Sequence, residues 1–359
     1  MKRKSRMKRS LILLLSVFLL ISSLTGCGGE KEKTEGKLSG ELSLYTWDGM
    51  FPQEILDGFE QETGVKIVYS NFDYNEDMLA KLAEAEGGDY DLVIADDYIV
   101  EVVVQEGLTQ KLDTGKLANY KNLNPVFMSQ FYDPQNEYTV PYGAGIPLLV
   151  YDPALTDVEI DSYEDLWDPA LEDNIALTAN YRVVNGIGLK VLGESYNTED
   201  LDKIRAAGAK MLEMAPNVRV INDNNTQDLL ISGEVAAAFL YTSQVSVAKS
   251  ARPDLKVVYP TEGLGFGVMA AFVPSKAPNA EAAYAFIDYI NRPENAAACF
   301  EYLGYYCTNK AAEELISEEM KEMVVLPEDA AEGESIHNIS READDLHAEL
   351  WNQFKDACD

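Results

Sequence analysis

The sequence predicts an α/β protein built from two lobes, and two patterns support that prediction. Between residues 42 and 107, short apolar segments alternate with amphipathic segments of helical period. Strands that alternate with helices form mostly parallel sheets. Two stretches rich in glycine and proline, near residues 145 and 266, each precede an apolar strand. Two such crossovers predict two lobes joined by a two-strand hinge, which can close on a ligand bound in the cleft.

The first strand–helix–strand unit is defined by the signals at its ends. Leu42, Leu44 and Tyr45 form a short apolar run typical of a strand. Pro52 can begin a helix, because the N–H that proline lacks would be unpaired at that position in any case. Gly64 can end this helix, since glycine readily adopts the left-handed conformation of a C-terminal cap. Val65–Tyr69 is then predicted to return as the second strand.

The same unit repeats, and it places polar and aromatic residues where ligands usually bind. A second helix is predicted over Asn75–Glu86, a third strand over Tyr90–Ala95, and a third helix that ends near Gly107. In parallel sheets, ligands bind beyond the carboxyl ends of the strands. Trp47 follows the first strand and Asp96–Tyr98 follow the third, so we expect these residues at the cleft. One of the two aspartates is expected to cap the third helix, which leaves the other for a ligand.

The rest of the chain continues the alternation. The predicted elements are strands over 148–151, 175–178, 234–241, 255–259 and 268–273, and helices over 162–169, 183–192, 222–232 and 280–291. Residues 262–267 are predicted to be a flexible crossover, and residues 313–359 to be helical and acidic. We assign residues 41–145 plus 268–315 to the N-terminal lobe, and residues 146–267 plus 316–359 to the C-terminal lobe.

The first 26 residues are predicted to be a lipoprotein signal peptide. Six basic residues precede an apolar core from Leu11 to Ile21, which is too short to span a bilayer comfortably. Leu24–Cys27 looks like a bacterial lipobox, whose cysteine is lipidated; the alternative is an ordinary signal peptide with a chance cysteine. Residues 27–40 are predicted to be a flexible tether. The body would then be anchored at the extracellular face of the bacterial cell membrane.

Composition limits the classes of function. The 359 residues carry a formal net charge of -32, and removal of the six basic residues of the signal peptide makes it -38. Such acidity argues against nucleic acid as a partner, because phosphate would be repelled. The chain has no serine-nucleophile elbow, Walker loop or local Cys–His signature, so we expect no catalytic residues and no cofactor. His337 and His347 are ten residues apart, which is not a helical metal-ligand spacing, so we expect no metal site and two surface histidines.

Three cysteines remain after Cys27, namely Cys299, Cys307 and Cys358. An odd number cannot form a complete disulfide framework. A bridge between Cys299 and Cys307 and a state of free thiols both remain open.

Several segments resemble the spermidine/putrescine-binding proteins of polyamine ABC importers. They occur in the same order as in that family, from about residue 42 to residue 320: residues 44–47, 59–67, 90–93, 162–169, 233–235, 260–263 and 291–294. The resemblance implies a type II periplasmic-binding-protein fold of two lobes. It also implies a membrane permease and an ATPase subunit as partners, and we expect a monomer.

The resemblance also implies a set of ligand-binding residues. Trp47, Tyr98 and Tyr305 match aromatic walls of the family's pocket, where rings cover the methylene chain and offer cation–π contact. Other pocket positions carry different residues here: Met50 for a tyrosine, Asp96 (beside Asp97) for a serine, Asn180 and Val183 for an acidic pair, Tyr241 (with Gln244 near it) for a tryptophan, Gly267 and Met269 for a tryptophan and an aspartate, and His337 for a glutamine. Asp48, next to Trp47, completes the predicted set.

These replacements leave two interpretations of the solute. Each ammonium of a polyamine needs a carboxylate or another acceptor, and an unpaired buried ammonium is costly. We therefore expect a cationic amine, either a polyamine (spermidine or putrescine) or a related organic cation. The alternatives are a less charged amine, a thiamine-like or an amino-acid-like solute, or a ligand-sensing lipoprotein of the same fold.

Overall fold

Two β-sheets organise the computed structural model of the chain, which describes residues 38–222, 225–328 and 333–358. The predicted signal peptide, most of the predicted tether and the predicted lipidation site at Cys27 lie outside these residues. The strands are β1 (Glu41–Thr46), β2 (Lys66–Asn71), β3 (Leu92–Asp96), β4 (Thr139–Gly145), β5 (Leu148–Tyr151), β6 (Ile175–Leu177), β7 (Val218–Ile221), β8 (Ala237–Leu240), β9 (Lys256–Val258), β10 (Leu264–Phe272) and β11 (Gly333–Ser335).

The α-helices cover the sheets and connect their strands. They are α1 (Gln53–Thr63), α2 (Asn75–Glu84), α3 (Asp97–Gln105), α4 (Tyr181–Val191), α5 (Leu201–Met214), α6 (Thr226–Ser232), α7 (Thr242–Ala251), α8 (Ala280–Ile290), α9 (Pro293–Leu303), α10 (Glu318–Val324) and α11 (Arg341–Cys358). As predicted, α1 follows Pro52 and ends at Gly64, which has a φ of 77°. The segment 162–169 forms short 3₁₀ turns instead of the predicted helix.

The first sheet has the strand order β11-β10-β3-β1-β2, with β4 also paired to β10. Strand β1 is parallel to both β2 and β3, as the alternation of strands and helices predicted. Strand β10 is antiparallel to β3 and β4. The carboxyl ends of β1 and β3 therefore lie at one edge of this sheet, where Trp47 and Asp96 follow them.

The second sheet has the order β7-β6-β8-β5-β9. Strand β6 is parallel to β7 and β8, and β5 is antiparallel to β8 and β9. Helices α4, α5 and α11 pack against one another beside this sheet. Two of these elements, β7 and α5, were not predicted; α5 is amphipathic but carries three alanines, a glycine and two methionines instead of a clear Leu/Ile stripe.

The chain crosses between the sheets at the two predicted places, after β4 and before β10. The two-lobed α/β architecture is thus confirmed. Residues 264–267, predicted to be flexible, belong to β10, because their backbone pairs with β11 and β4. The C-terminal stretch is not wholly helical: β11 pairs parallel with the start of β10, and α11 then packs on α4 and α5. Residues 333–340 thus form a third connection, which we call the C-terminal strap.

Apolar side chains bury both sheets, and one cluster includes residues from each of them, such as Val93 and Leu240.

The prediction that His347 lies on the surface is wrong, since only 1% of this residue is exposed. It lies on the inner face of α11, where Asn185 Nδ2 of α4 donates to its carbonyl oxygen at 2.9 Å. Cys299 and Cys307 are buried free thiols and do not form the possible bridge; Cys358 is half-buried and is not disulfide-bonded. Among the described residues, no helix is long and apolar enough to cross a membrane.

Candidate functional site

A cleft of about 440 Å³ lies at the carboxyl end of β3, between the two sheets. The first sheet and its connections contribute Asp96, Asp97, Tyr98, Gly145, Phe266, Gly267 and Tyr305. The other side, formed by loops and helix starts of the second sheet, contributes Ile146, Pro147, Asn180, Val183, Tyr241, Thr242 and Ser243, and Ile336 comes from the C-terminal strap. Six of the predicted ligand-binding residues are therefore brought together: Asp96, Asp97, Tyr98, Asn180, Tyr241 and Tyr305.

Asp97 holds the three elements that meet at this edge. Its Oδ1 accepts a hydrogen bond from the backbone N–H of Tyr98 at 2.8 Å. Its Oδ2 accepts from the N–H of Val268 at 2.9 Å and from the hydroxyl of Ser335 at 3.2 Å. Asp97 thus connects α3 to β10 and to the C-terminal strap. Burial raises the pKa of its carboxyl to about 7, against the lowering effect of these hydrogen bonds.

Asp96 has a different environment, because its carboxylate does not cap α3 although the residue occupies the N-cap position. Its Oδ2 accepts a hydrogen bond from Asn75 Nδ2 at 2.8 Å. Its Oδ1 accepts no hydrogen bond within the described part of the chain, and neither aspartate forms an ion pair there. Burial raises the pKa of Asp96, and the nearby Glu76 adds to that rise. The predicted aspartate cap of α3 is therefore not seen: the N-cap residue Asp96 makes no capping hydrogen bond, and Asp97, the first residue of the helix, accepts from the adjacent N–H of Tyr98.

Tyr98 is fixed beside Asp96 by the same amide. Asn75 Nδ2 also donates to the Tyr98 hydroxyl at 3.1 Å, and that hydroxyl donates to Glu76 Oε1 at 3.1 Å. Burial raises the pKa of Tyr98 to about 12, so its ring stays neutral at physiological pH. Asn75 itself is only 6% exposed. It orients both a carboxylate and an aromatic wall of the cleft.

The second lobe contributes the starts of two helices. Asn180 caps α4, since its Oδ1 accepts from the N–H groups of Arg182 at 3.0 Å and Val183 at 3.2 Å. Helix α7 begins after Tyr241, and its first residue, Thr242, is hydrogen bonded through Oγ1 to both the N–H (2.7 Å) and the carbonyl (3.0 Å) of Ile146. This pair of bonds fixes the start of α7 on the crossover that follows β4.

Trp47 and two predicted residues next to it in sequence, Asp48 and Met50, do not line the cleft. The Trp47 ring is half-buried and lies 4.9 Å from that of Phe72, centroid to centroid. Met50 is only 6% exposed, and Tyr142 donates to its carbonyl oxygen at 2.6 Å. Asp48 is exposed and lines a separate concavity that includes Tyr69.

The other predicted residues outside the lining are Gln244, Met269 and His337. Gln244 accepts a hydrogen bond from the N–H of Tyr241 at 3.1 Å and so helps to cap α7. Met269 pairs with Asp96 in the sheet register, and its side chain is buried in the core of the first lobe. His337 lies in the C-terminal strap, where its ring packs 4.9 Å from that of Phe131 and faces another concavity.

Several residues of the site were missed by the sequence analysis. Asn75 was treated only as the start of a helix, and Ser335 lay in a stretch predicted to be helical. Ser243 and Ile336 line the cleft without belonging to any motif, and Phe266 was treated only as part of the crossover over residues 262–267. Only one signal was available: Ser243 follows the predicted strand end at Tyr241, a position at which ligands often bind.

The charge of the lining is one-sided. No lysine, arginine or histidine lines the cleft among the residues that the structure describes, whereas two carboxylates do. The side chains of Tyr98, Tyr241 and Tyr305 border the same space. A solute with a positive group would gain a counter-charge and aromatic contact, while an anion would be repelled.

Two lobes joined at a hinge, with a cleft of this kind between them, define a solute-binding protein of the two-lobed α/β class. The comparisons with known proteins agree with this class. Residues 54–328 match the model of the bacterial extracellular solute-binding protein family. The chain belongs to that family, and its similarity to curated relatives groups it with the spermidine/putrescine-binding proteins. Proteins of this family bind solutes for transport and are not an enzyme family.

The similarity extends over nearly the whole chain. The spermidine/putrescine-binding periplasmic protein of Salmonella typhimurium is 35% identical over 318 residues, which cover 88% of this chain and 91% of the relative. The putrescine-binding periplasmic protein PotF of Escherichia coli is 29% identical, over 80% of this chain and 84% of the relative. The crystal structure of the spermidine/putrescine transporter substrate-binding protein PotD of Streptococcus pneumoniae matches with a TM-score of 0.83 and 30% identity, over 89% of this chain and 100% of that one.

Proposed function

We propose that this protein is the solute-binding lipoprotein of an ABC importer for a polyamine or a related organic cation. The observation that carries the proposal is the Asp96 carboxylate, which lines the cleft with one oxygen unpaired and without a cationic partner in the described part of the chain. The names of the relatives support the same class of solute. The proposal gives no residue a catalytic role.

The binding reaction follows from the geometry of the cleft. An ammonium group would place its N–H donors toward Asp96 Oδ1, with the Tyr98 ring beside it. Tyr241 and Tyr305 would cover the methylene chain from the two lobes. Asp97 would hold the elements of the cleft in place and would not bind the solute directly, because its oxygens already accept hydrogen bonds from Tyr98, Val268 and Ser335. The roles of Trp47, Asp48, Met50, Gln244, Met269 and His337 stay predictions that depend on how far the lobes move.

Closure would bring the two lobes together on the solute. We keep the lobe boundaries of residues 41–145 plus 268–315 and residues 146–267 plus 316–359. Motion between them would be borne by the crossovers after β4 and before β10, together with the C-terminal strap. The closed monomer would then dock on a membrane permease that an ATPase subunit drives.

Calorimetric titration of the purified protein with spermidine and putrescine tests the proposed solute class. Saturable binding by either amine, or by another organic cation, supports it. If amines bind no better than amino acids of similar size and zero net charge, the proposed class of solute is wrong.

The proposed lipid anchor has a separate test. Cys27→Ala should move the protein from the membrane fraction to the medium or periplasm. Unchanged fractionation would mean that Cys27 is not the anchor.

A further inference from the structure

The carboxylates of the cleft occupy one end only. Asp96 and Asp97 both follow β3, in the first lobe, and no other aspartate or glutamate lines the cleft in the part of the chain that the structure describes. Glu76 lies nearby, but also in the first lobe, where it accepts a hydrogen bond from the hydroxyl of Tyr98. All the negative charge that a solute can reach is therefore at the first-lobe end.

The second-lobe end is neutral. Its side chains include Asn180, Val183 and Ser243, none of which carries a charge. The Asn180 carbonyl oxygen, the acceptor best suited to an ammonium, already accepts two backbone N–H groups of α4. A second ammonium group would therefore find no carboxylate there, and the amide oxygen of Asn180 is already in use.

The backbone at this end disfavours a cation as well. Both α4 and α7 begin at the cleft, at Tyr181 and Thr242. The N-terminus of a helix carries a partial positive charge, because its first N–H groups have no partners within the helix. A neutral group that can accept a hydrogen bond suits this end better than an ammonium does.

From this asymmetry we infer that the solute carries one ammonium group, bound at Asp96, and a neutral group at its other end. The inference rests on the proposed function and narrows it within the class of organic amines. A diamine with one end acylated has this chemistry: one nitrogen is an ammonium, and the other is a neutral amide whose carbonyl can accept hydrogen bonds.

Putrescine and N-acetylputrescine form a matched pair of probes, because they share the four-carbon chain and differ in the charge of one end. Titration of the wild-type protein with each should give a dissociation constant about tenfold or more lower for N-acetylputrescine, since an unpaired ammonium is costly in a partly buried site. Equal affinities, or a preference for putrescine, would overturn the inference while leaving the amine-binding function intact. Failure of both probes and of spermidine to bind would instead overturn the proposed function.

A substitution at the second-lobe end provides an independent test. Val183 lines the cleft in the first turn of α4, where a carboxylate is compatible with the helix. Val183→Glu should improve putrescine binding about tenfold relative to Val183→Gln, which has the same shape without the charge. The thermal melting of both variants establishes that they fold. Equal putrescine affinity in two folded variants would contradict the asymmetry of charge that we infer.

Discussion

Replacement of Asp96 by asparagine is the perturbation that most sharply separates binding from folding. The change keeps the side-chain shape and an oxygen that can accept the hydrogen bond from Asn75, 2.8 Å away in the wild type. It removes the charge that would face a bound ammonium. Because burial raises the pKa of Asp96, the folded protein without solute loses little when that charge is removed.

The size of the effect follows from the electrostatics of a partly enclosed cleft. Two unit charges about 4 Å apart attract by about 4 kcal/mol at an effective dielectric constant of 20, and solvent in the cleft reduces this to about 2–4 kcal/mol. Each 1.4 kcal/mol corresponds to about a tenfold change, so the amine dissociation constant should rise about 30- to 1,000-fold.

Isothermal titration calorimetry measures this change, and Asp345→Asn is the matched control. Asp345 lies on α11, and its side chain is 71% exposed, so its loss changes the net charge equally without touching the cleft. The control should bind within about threefold of wild type, as is typical of solvent-screened charges. If Asp96→Asn also bound within threefold, Asp96 would not be the counter-charge of the solute.

Three further predictions follow. Tyr98→Ala should weaken amine binding about 5- to 30-fold, because it removes an aromatic ring that makes a cation–π contact. Tyr98→Phe keeps the ring and should bind the amine within about threefold of wild type. Equal losses of affinity in the two variants would mean that the hydroxyl matters more than the ring. Burial raises the pKa of Asp97 from 3.8 to about 7, so the folded state binds the proton of this carboxyl more tightly than the unfolded state does. The contribution of Asp97 to the unfolding free energy should therefore fall as pH rises from about 4 to 7, by at most about 4 kcal/mol. Melting curves of wild type and Asp97→Asn over this range check the sign, and a constant difference would contradict it. The third prediction concerns a chain whose only cysteines are Cys299, Cys307 and Cys358. A thiol reagent should modify Cys358 in the native state and the other two only after unfolding, because both are buried and burial raises the pKa of Cys299 to about 12. Fast labelling of all three thiols in the native state would refute this.

The parts of the fold with strong local signals were predictable from sequence. Helix α1 lies between Pro52 and Gly64 because each residue has backbone properties that suit a helix end. The strands before Trp47 and Asp96 contain short apolar runs, and their alternation with helices predicted the parallel pairing that the structure has. Elements that owe their form to distant partners were not predictable. Strand β11 has three residues, Gly333–Ser335, and exists because it pairs with β10, far from it in sequence.

The candidate site shows the same division. Asp96 and Tyr98 were found because they follow a strand end, whereas Asn75 was missed because its role depends on two side chains more than twenty residues away. Sequence position also misled for His347, since ten residues of spacing say nothing about which helix face α4 covers. A resemblance identifies equivalent positions, but it does not show which of them face the cleft, and Met50 and Met269 lie in the core instead.

A crystal structure of the protein with a bound amine, N-acetylputrescine or spermidine, tests the central claim most directly. The claim predicts an ammonium nitrogen about 3 Å from Asp96 Oδ1, with the chain of the solute between Tyr98, Tyr241 and Tyr305. A solute bound outside this cleft, or one whose ammonium points away from Asp96, would contradict it.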